Sequence, residues 1–311
     1  MLEEVIVFSP PHFGLYFTPE HVKIARDQRD QPPFEAAWKL LREHEETGVP
    51  AAQWFGLRYR FDDDVLAGEQ ATQRLMDFVQ HGLNPDMTYV DALRETLVQA
   101  HTFELIRDHA AMAEHSDAFL AAFAGRITYF NTLDYQRSYV EDVLFGLVNL
   151  VAGIVLERED LYQYGVNTYE AIVREDIHPQ GYIQKAVEAH DGGGLLRQIM
   201  VVGALAQMAE AAKHVGADLW GYSFRGVSLM TAFSYLLYYY FYPEKWRWDP
   251  QVTNEPFREY CGFLEMVNHH AYPKDLKPIL DELRPLVDSP GGGLTTLSHG
   301  MSGRPKRRLF G

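Results

Sequence analysis

Apolar residues recur along this chain at intervals of three and four, the spacing of amphipathic helices, and sustained strand alternation is hard to find. The pattern predicts helices over 19–30, 33–46, 63–81, 88–113, 116–126, 133–157, 159–174, 179–190, 194–215, 222–241, 255–270 and 275–284. Thr18 and Pro19 form an N-cap and N1 pair at the first of them. The best candidate strand is the short run Val5–Phe8. The run from Val143 to Leu156 is almost wholly apolar but too short to span a bilayer, and it contains Asn149. It predicts a buried central helix. Short connections rich in Gly, Pro and Asp join these segments into hairpins, as a toroid or solenoid of helix pairs requires. No strict repeat is present, which excludes tetratricopeptide and ankyrin arrays.

Two stretches stand out from this background. Tyr235–Tyr242 carries aromatics around the whole helix, more than one buried face can use, and Trp246 and Trp248 follow at once. The other runs from His190 to Tyr222. It opens with Asp191-Gly192, continues through Gly193 and Gly194 into a long helix carrying Arg197, and leaves through Gly216-Ala217-Asp218-Leu219-Trp220.

This second stretch resembles the alginate lyase superfamily, in which an Asp-Gly turn and an Arg begin a long helix that ends in a Gly-x-Asp-Leu-aromatic exit. Weaker similarities lie at Ala37-Trp38-Lys39, Arg284-Pro285-Leu286 and Gly291–Leu297. The resemblance implies an all-α fold, an incomplete (α/α) toroid of helical hairpins over residues 1–290, with a Gly-rich strip and basic tail over 291–311. It also implies β-elimination on a uronic-acid-containing poly- or oligosaccharide, without a cofactor or metal.

Such a reaction needs a group to neutralise the C5 carboxylate, a base for the C5 proton and an acid for the departing O4. Arg197 matches the family's Arg and is expected at the rim of the central cavity, although a salt bridge to Asp191 explains the pair equally well. The family's Asn-His pair and the Tyr two turns after the Arg are missing: Gly203 and Ala204 stand in the latter place. Tyr135 and Tyr139, at i and i+4 on one predicted helix face, are the substitutes for base and acid, with His178 and His190 assisting the Arg. Asn131, Gln136, Tyr222, Arg225 and Trp246 are candidates for sugar binding. The missing residues favour, as alternatives, a non-catalytic carbohydrate-binding or scaffold member of the fold. The aromatic run favours a helical enzyme acting on an apolar small molecule.

Charge and composition narrow this further. A net charge of −15 argues against nucleic acid and acidic membranes as partners and requires a local cationic site for an acidic sugar. The basic cluster Arg304–Arg308 reads as a solvated tail. The single cysteine, Cys261, lies on an apolar stripe and excludes an internal disulfide or a Cys-based zinc site. Asp62-Asp63-Asp64 is similar to the magnesium motif of helical terpene cyclases but lacks its second triad, and reads as an acidic helix start. His269-His270 resembles a metal pair, but adjacent residues face different sides of a helix. Read from Met1, the acidic start is no secretory leader and a cytoplasmic protein is expected; a leader upstream would make it periplasmic or secreted.

Overall fold

The computed structural model describes residues 8–303 except 46, 190, 250, 251, 253, 254, 289 and 290. Helices follow in the order α1 (Pro19–Asp27), α2 (Phe34–Glu43), α3 (Val49–Asp62), α4 (Val65–His81), α5 (Tyr89–Ile106), α6 (Ala110–Ala113), α7 (Ser116–Thr132) and α8 (Tyr139–Val155). Then come α9 (Glu159–Ala171), α10 (Gln184–Val187), α11 (Gly194–His214), α12 (Leu229–Phe241), α13 (Glu255–Glu259), α14 (Phe263–Ala271), α15 (Lys277–Leu283) and α16 (Thr295–His299). Between α11 and α12, β1 (Ser223–Phe224) and β2 (Val227–Ser228) pair antiparallel, with Phe224 opposite Val227. The architecture is all-α, an incomplete (α/α) toroid.

Its centre is α8, which packs on α5, α9 and α11. Ser138 and Glu141 start it with a capping box, the Ser138 N–H donating to Glu141 Oε2 at 2.6 Å. From Val143 to Val155 every residue is buried. Asn149, the polar member of the run, donates to the Phe145 carbonyl and accepts from Asn131 Nδ2 at 3.0 Å, so its burial leaves no unmet amide. Helix α9 lies so close that a Cβ at Gly153 would sit 2.3 Å from the Tyr162 nitrogen, and one at Gly165 2.4 Å from the Leu150 Cβ.

Gly194, which opens α11, has a similar cause, whereas Gly192 serves a left-handed φ of +88°. Asp249, buried in a distant loop, accepts the N–H groups of Gly192 at 2.9 Å and Gly194 at 3.0 Å, and is held by Trp246 Nε1–H at 2.8 Å. It caps α11 from outside the local sequence, and a Cβ at Gly194 would meet its Oδ2 at 2.7 Å. Asp249→Ala strands buried donors at a helix start. It is expected to cost about 1–3 kcal/mol, measured by urea unfolding.

Several predicted elements need correction. Helix α3 was not expected: it is packed on nearly all sides, so its sequence shows no apolar stripe. Helix α8 begins at Tyr139 rather than 133, because Ser138 caps it. Only Gln184–Val187 of 179–190 is α-helical, and the first residues of 222–241 form the β-hairpin. The strip from Gly291 is no appendage: residues 291–300 are buried, Gln53 Nε2 donates to the Gly291 carbonyl at 2.7 Å, and Thr296 Oγ1 donates to Glu265 at 2.7 Å. Val5–Val7 and the Arg304–Arg308 tail lie outside the described residues. The acidic triad is consumed by structure: Asp62 pairs with Arg42, Asp63 with Arg26, and Asp64 accepts the Ala67 N–H. Cys261 is buried, and burial pushes its thiol up to about 12.

Candidate active site

A cavity of about 740 Å³ opens between the α4–α5 loop, α7 and the segment before α8. Its walls include the aromatics Phe78, Tyr89, Tyr129, Phe130 and Tyr135 and one cation, Arg126. Arg126 follows Phe119 and Phe123 on the apolar stripe of α7 and precedes Phe130 on it. It is only 7% exposed. Its guanidinium lies over the Phe78 ring at 3.7 Å, and Nη1 donates to Gln99 Oε1 at 2.5 Å. The Glu95 carboxylate stands off at 3.8 Å, and Nη2 is buried with no hydrogen-bond partner among the described residues. Burial lowers its pKa to about 10, which leaves it cationic at neutral pH. A buried charge with an open donor is costly unless an anion meets it. The cavity therefore suits a carboxylate attached to a body that aromatic walls can hold.

Hydroxyls border the same space. Tyr135 donates to Glu141 Oε1 at 3.2 Å and packs against Tyr89 at 4.8 Å between ring centroids. The Tyr89 hydroxyl is buried beside Arg137, without a well-formed hydrogen bond to it. Both phenols have raised pKa values: burial is the first cause in each, with the Glu141 charge adding for Tyr135 and Arg137 partly offsetting for Tyr89.

The sequence profile of the alginate lyase family matches residues 143–246. A search of curated proteins finds no match. Among solved structures, the chain is similar to alginate lyase A1-III from Sphingomonas species A1, with a TM-score of 0.71, 15% identity, and coverage of 86% of this chain and 78% of that one. It is also similar to an alginate lyase from Bacteroides ovatus, with a TM-score of 0.69, 14% identity, and coverage of 92% and 98%. A variant of A1-III complexed with a tetrasaccharide gives a TM-score of 0.69 at 16% identity over 83% of this chain and 75% of that one. The chain shares the fold of these alginate lyases.

Within this fold the residues expected from sequence are dispersed. Arg197 sits in a bidentate pair with Asp191, at 2.8 and 2.9 Å, and its Nε donates to the Ala186 carbonyl. Arg197 and the Gly193 N–H hold the Asp191 carboxyl down to about 2. The guanidinium is thus in the surface pair, not free at a cavity rim. Tyr135 and Tyr139 do not share a helix face, since Tyr135 precedes α8. Tyr139 instead donates to Asp176 Oδ2 at 2.9 Å, and burial together with that carboxylate raises its pKa. Asp176 also pairs with Lys185 at 2.9 Å.

His178 and Arg225 do meet, in a smaller groove of about 250 Å³ that Asp176 and Arg174 also line. His178 stacks on Tyr182 at 4.3 Å, and Tyr222 lies beside Arg174. Gln136 is exposed near Tyr135. Asn131 is used in supporting Asn149, Trp246 is buried holding Asp249, and His190 lies outside the described residues. The aromatic run on α12 divides: Tyr239 and Tyr240 are buried, Tyr235 accepts from Trp248 Nε1, and Tyr238, Phe241 and Tyr242 are exposed. Of the sequence candidates among the described residues, only Tyr135 lines the 740 Å³ cavity. Arg126, Tyr89 and Glu141 were missed. The available signal was an arginine set among phenylalanines at helical spacing.

Proposed function

We propose that this protein is a β-eliminating polysaccharide lyase whose large cavity takes the carboxylate of a uronic-acid unit on Arg126. The observation that carries the reading is the buried guanidinium with an open Nη2 in a tyrosine-lined cavity of this fold. Neutralising the carboxylate on Arg126 makes the C5 proton more acidic and stabilises the charge that develops on its removal. Tyr135 is the group set to move protons. Its hydroxyl takes the C5 proton as its own passes to Glu141. The electron pair forms the C4–C5 double bond, the C4–O4 bond breaks, and the departing O4 takes a proton from the same relay. A phenol with a raised pKa stays protonated, which fits the acid half and makes the base half depend on Glu141.

The test is the ultraviolet absorbance of unsaturated product across a panel of uronic polymers. Tyr135→Phe is expected to lower kcat by about 10²–10⁴ with little change in KM. Full activity in that variant would remove Tyr135 from the proton transfers. A second reading, a non-catalytic carbohydrate-binding member of the fold, is favoured by the upward shift of both cavity phenols. Uronate binding without product from the unmodified protein would decide for it.

A further inference from the structure

The aromatics of α12 and its C-terminal end form two sets. The inner set has a structural task. Tyr239 is buried against Trp246, with ring centroids 4.9 Å apart, and the Tyr235 hydroxyl accepts from Trp248 Nε1 at 2.9 Å. The outer set has none of this packing. Tyr238 and Tyr242, one helical turn apart, are 43% and 44% exposed, and Phe241 beside them is 42% exposed. Exposed aromatics gathered in one patch mark a surface that meets a ligand.

A groove of about 600 Å³ adjoins them, and its lining includes Gln180, Thr231, Ser234, Tyr235, Tyr238 and Tyr239. It shares no lining residue with the Arg126 cavity. Close backbone approach builds one end of it. Gly181, at φ +99°, lies so near α12 that a Cβ there would stand 2.5 Å from the Tyr235 Cβ and 2.6 Å from the Thr231 carbonyl oxygen. Buried Gln198 donates to the Gly181 carbonyl at 3.0 Å and accepts the Ile183 N–H at 2.8 Å. These bonds fix the turn and hold the backbone of Gln180 beside the helix.

Cations border the same surface. Lys245 Nζ lies 4.2 Å from the Tyr242 ring centroid and 5.5 Å from that of Tyr238. The Arg247 guanidinium lies 4.7 Å from the Trp248 ring centroid, and its Nη2 reaches Gln180 Oε1 at 3.5 Å. Neither cation forms an ion pair among the described residues, although Glu244 adjoins Lys245. Other exposed arginines are paired, as Arg42 is with Asp62 and Arg258 with Glu282. On a chain of net charge −15, two unpaired cations beside aromatic rings are a local attraction for an anion.

This chemistry selects the occupant. Exposed tyrosine rings take the C–H face of a pyranose, while Gln180, Thr231, Ser234 and the phenols offer hydrogen bonds to its hydroxyls. Two cations suit a sugar chain with one carboxylate per unit. A nucleic acid, with a phosphate at every nucleotide, would need a larger basic surface against this net charge.

We propose that the groove and the Tyr238–Tyr242 strip are a second, non-catalytic carbohydrate site, where an acidic polysaccharide stacks on Tyr238 and Tyr242 and sets its carboxylates on Lys245 and Arg247. The identity of the polymer rests on the uronate reading of the Arg126 cavity. The site holds a long chain at the surface and adds nothing to the turnover of a short one.

The test uses the full chain and affinity electrophoresis through gels containing alginate or pectate, with the same polymers after carboxyl reduction as controls. Arg126→Ala serves as the background, so that retention reports the strip alone. That protein should be retarded by an acidic polymer and not by its reduced form. Adding Tyr238→Ala with Tyr242→Ala, or Lys245→Ala with Arg247→Ala, should weaken retention about tenfold or more. All four side chains are exposed, and Tm checks that folding is unchanged. In the Arg126 protein, the tyrosine pair of substitutions should raise KM on polymer and leave kcat on a short oligosaccharide unaltered. No retention of the Arg126→Ala background, equal retention by reduced polymer, or full retention by either double variant would overturn the strip while leaving the lyase reading intact. Retention through the strip by a protein that cleaves no uronic polymer would overturn the lyase reading and support the strip. Self-association that Tyr238→Ala abolishes, seen by sedimentation velocity, would assign the surface to a second copy of the chain and overturn the proposal.

Discussion

Replacing Arg126 with alanine is expected to lower kcat/KM on a cleaved uronic polymer by about two to three orders of magnitude, the scale of one preorganised charge-stabilising group. The effect is large because the guanidinium is already stripped of water and fixed. Phe78 covers one face, Gln99 holds Nη1, and Nη2 is buried with no hydrogen-bond partner among the described residues. A substrate carboxylate therefore meets a charge that needs no reorganisation. Glu95 at 3.8 Å compensates Arg126 only in part. Arg126→Lys keeps the charge but loses the planar fork, and should fall between the two proteins. Circular dichroism and Tm of each variant separate lost chemistry from lost packing on Phe78. An alanine variant that keeps its fold and its full rate would remove Arg126 from the mechanism.

The largest effect on stability is expected from Leu147→Asp. Leu147 is fully buried in the middle of α8, against α5, α9 and α11. An unpaired carboxylate there should cost about 3–5 kcal/mol, a substantial share of the roughly 5–15 kcal/mol that holds a typical domain together. Leu66→Asp is the control. Leu66 is 69% exposed at the start of α4, and the same change there should stay within about 0.5 kcal/mol. Urea unfolding of both variants is the check. Equal stabilities would contradict the central position of α8.

Much of the toroid was legible because most of its helices bury one face or, in α8, all faces with an unbroken apolar run. Helix α3 was illegible for the opposite reason: its alanines, glycine and arginines pack on several neighbours and trace no stripe. Caps mattered as much as periodicity. Ser138 with Glu141 sets the start of α8, and that boundary decides whether Tyr135 and Tyr139 act together. The predicted helix 116–126 ended on Arg126, where a cation reads as an ordinary partner of the helix dipole. The helix runs on to Thr132, which turns the same arginine from a terminal charge into an interior one. Asp191 and Arg197, six residues apart, could be read either as a site or as a pair, and sequence alone did not choose. His21, His214, His269 and His299 come together from four helices, a juxtaposition that only the closed fold creates.

The central claim is that the cavity recognises a uronate through its carboxylate on Arg126. Calorimetric binding of a uronic oligosaccharide, compared with the same oligosaccharide after its carboxyl groups are reduced to alcohols, tests it most directly. The acidic form should bind, and both carboxyl reduction and Arg126→Ala should remove most of the affinity. Equal binding of the two sugars by the unmodified protein would contradict the claim.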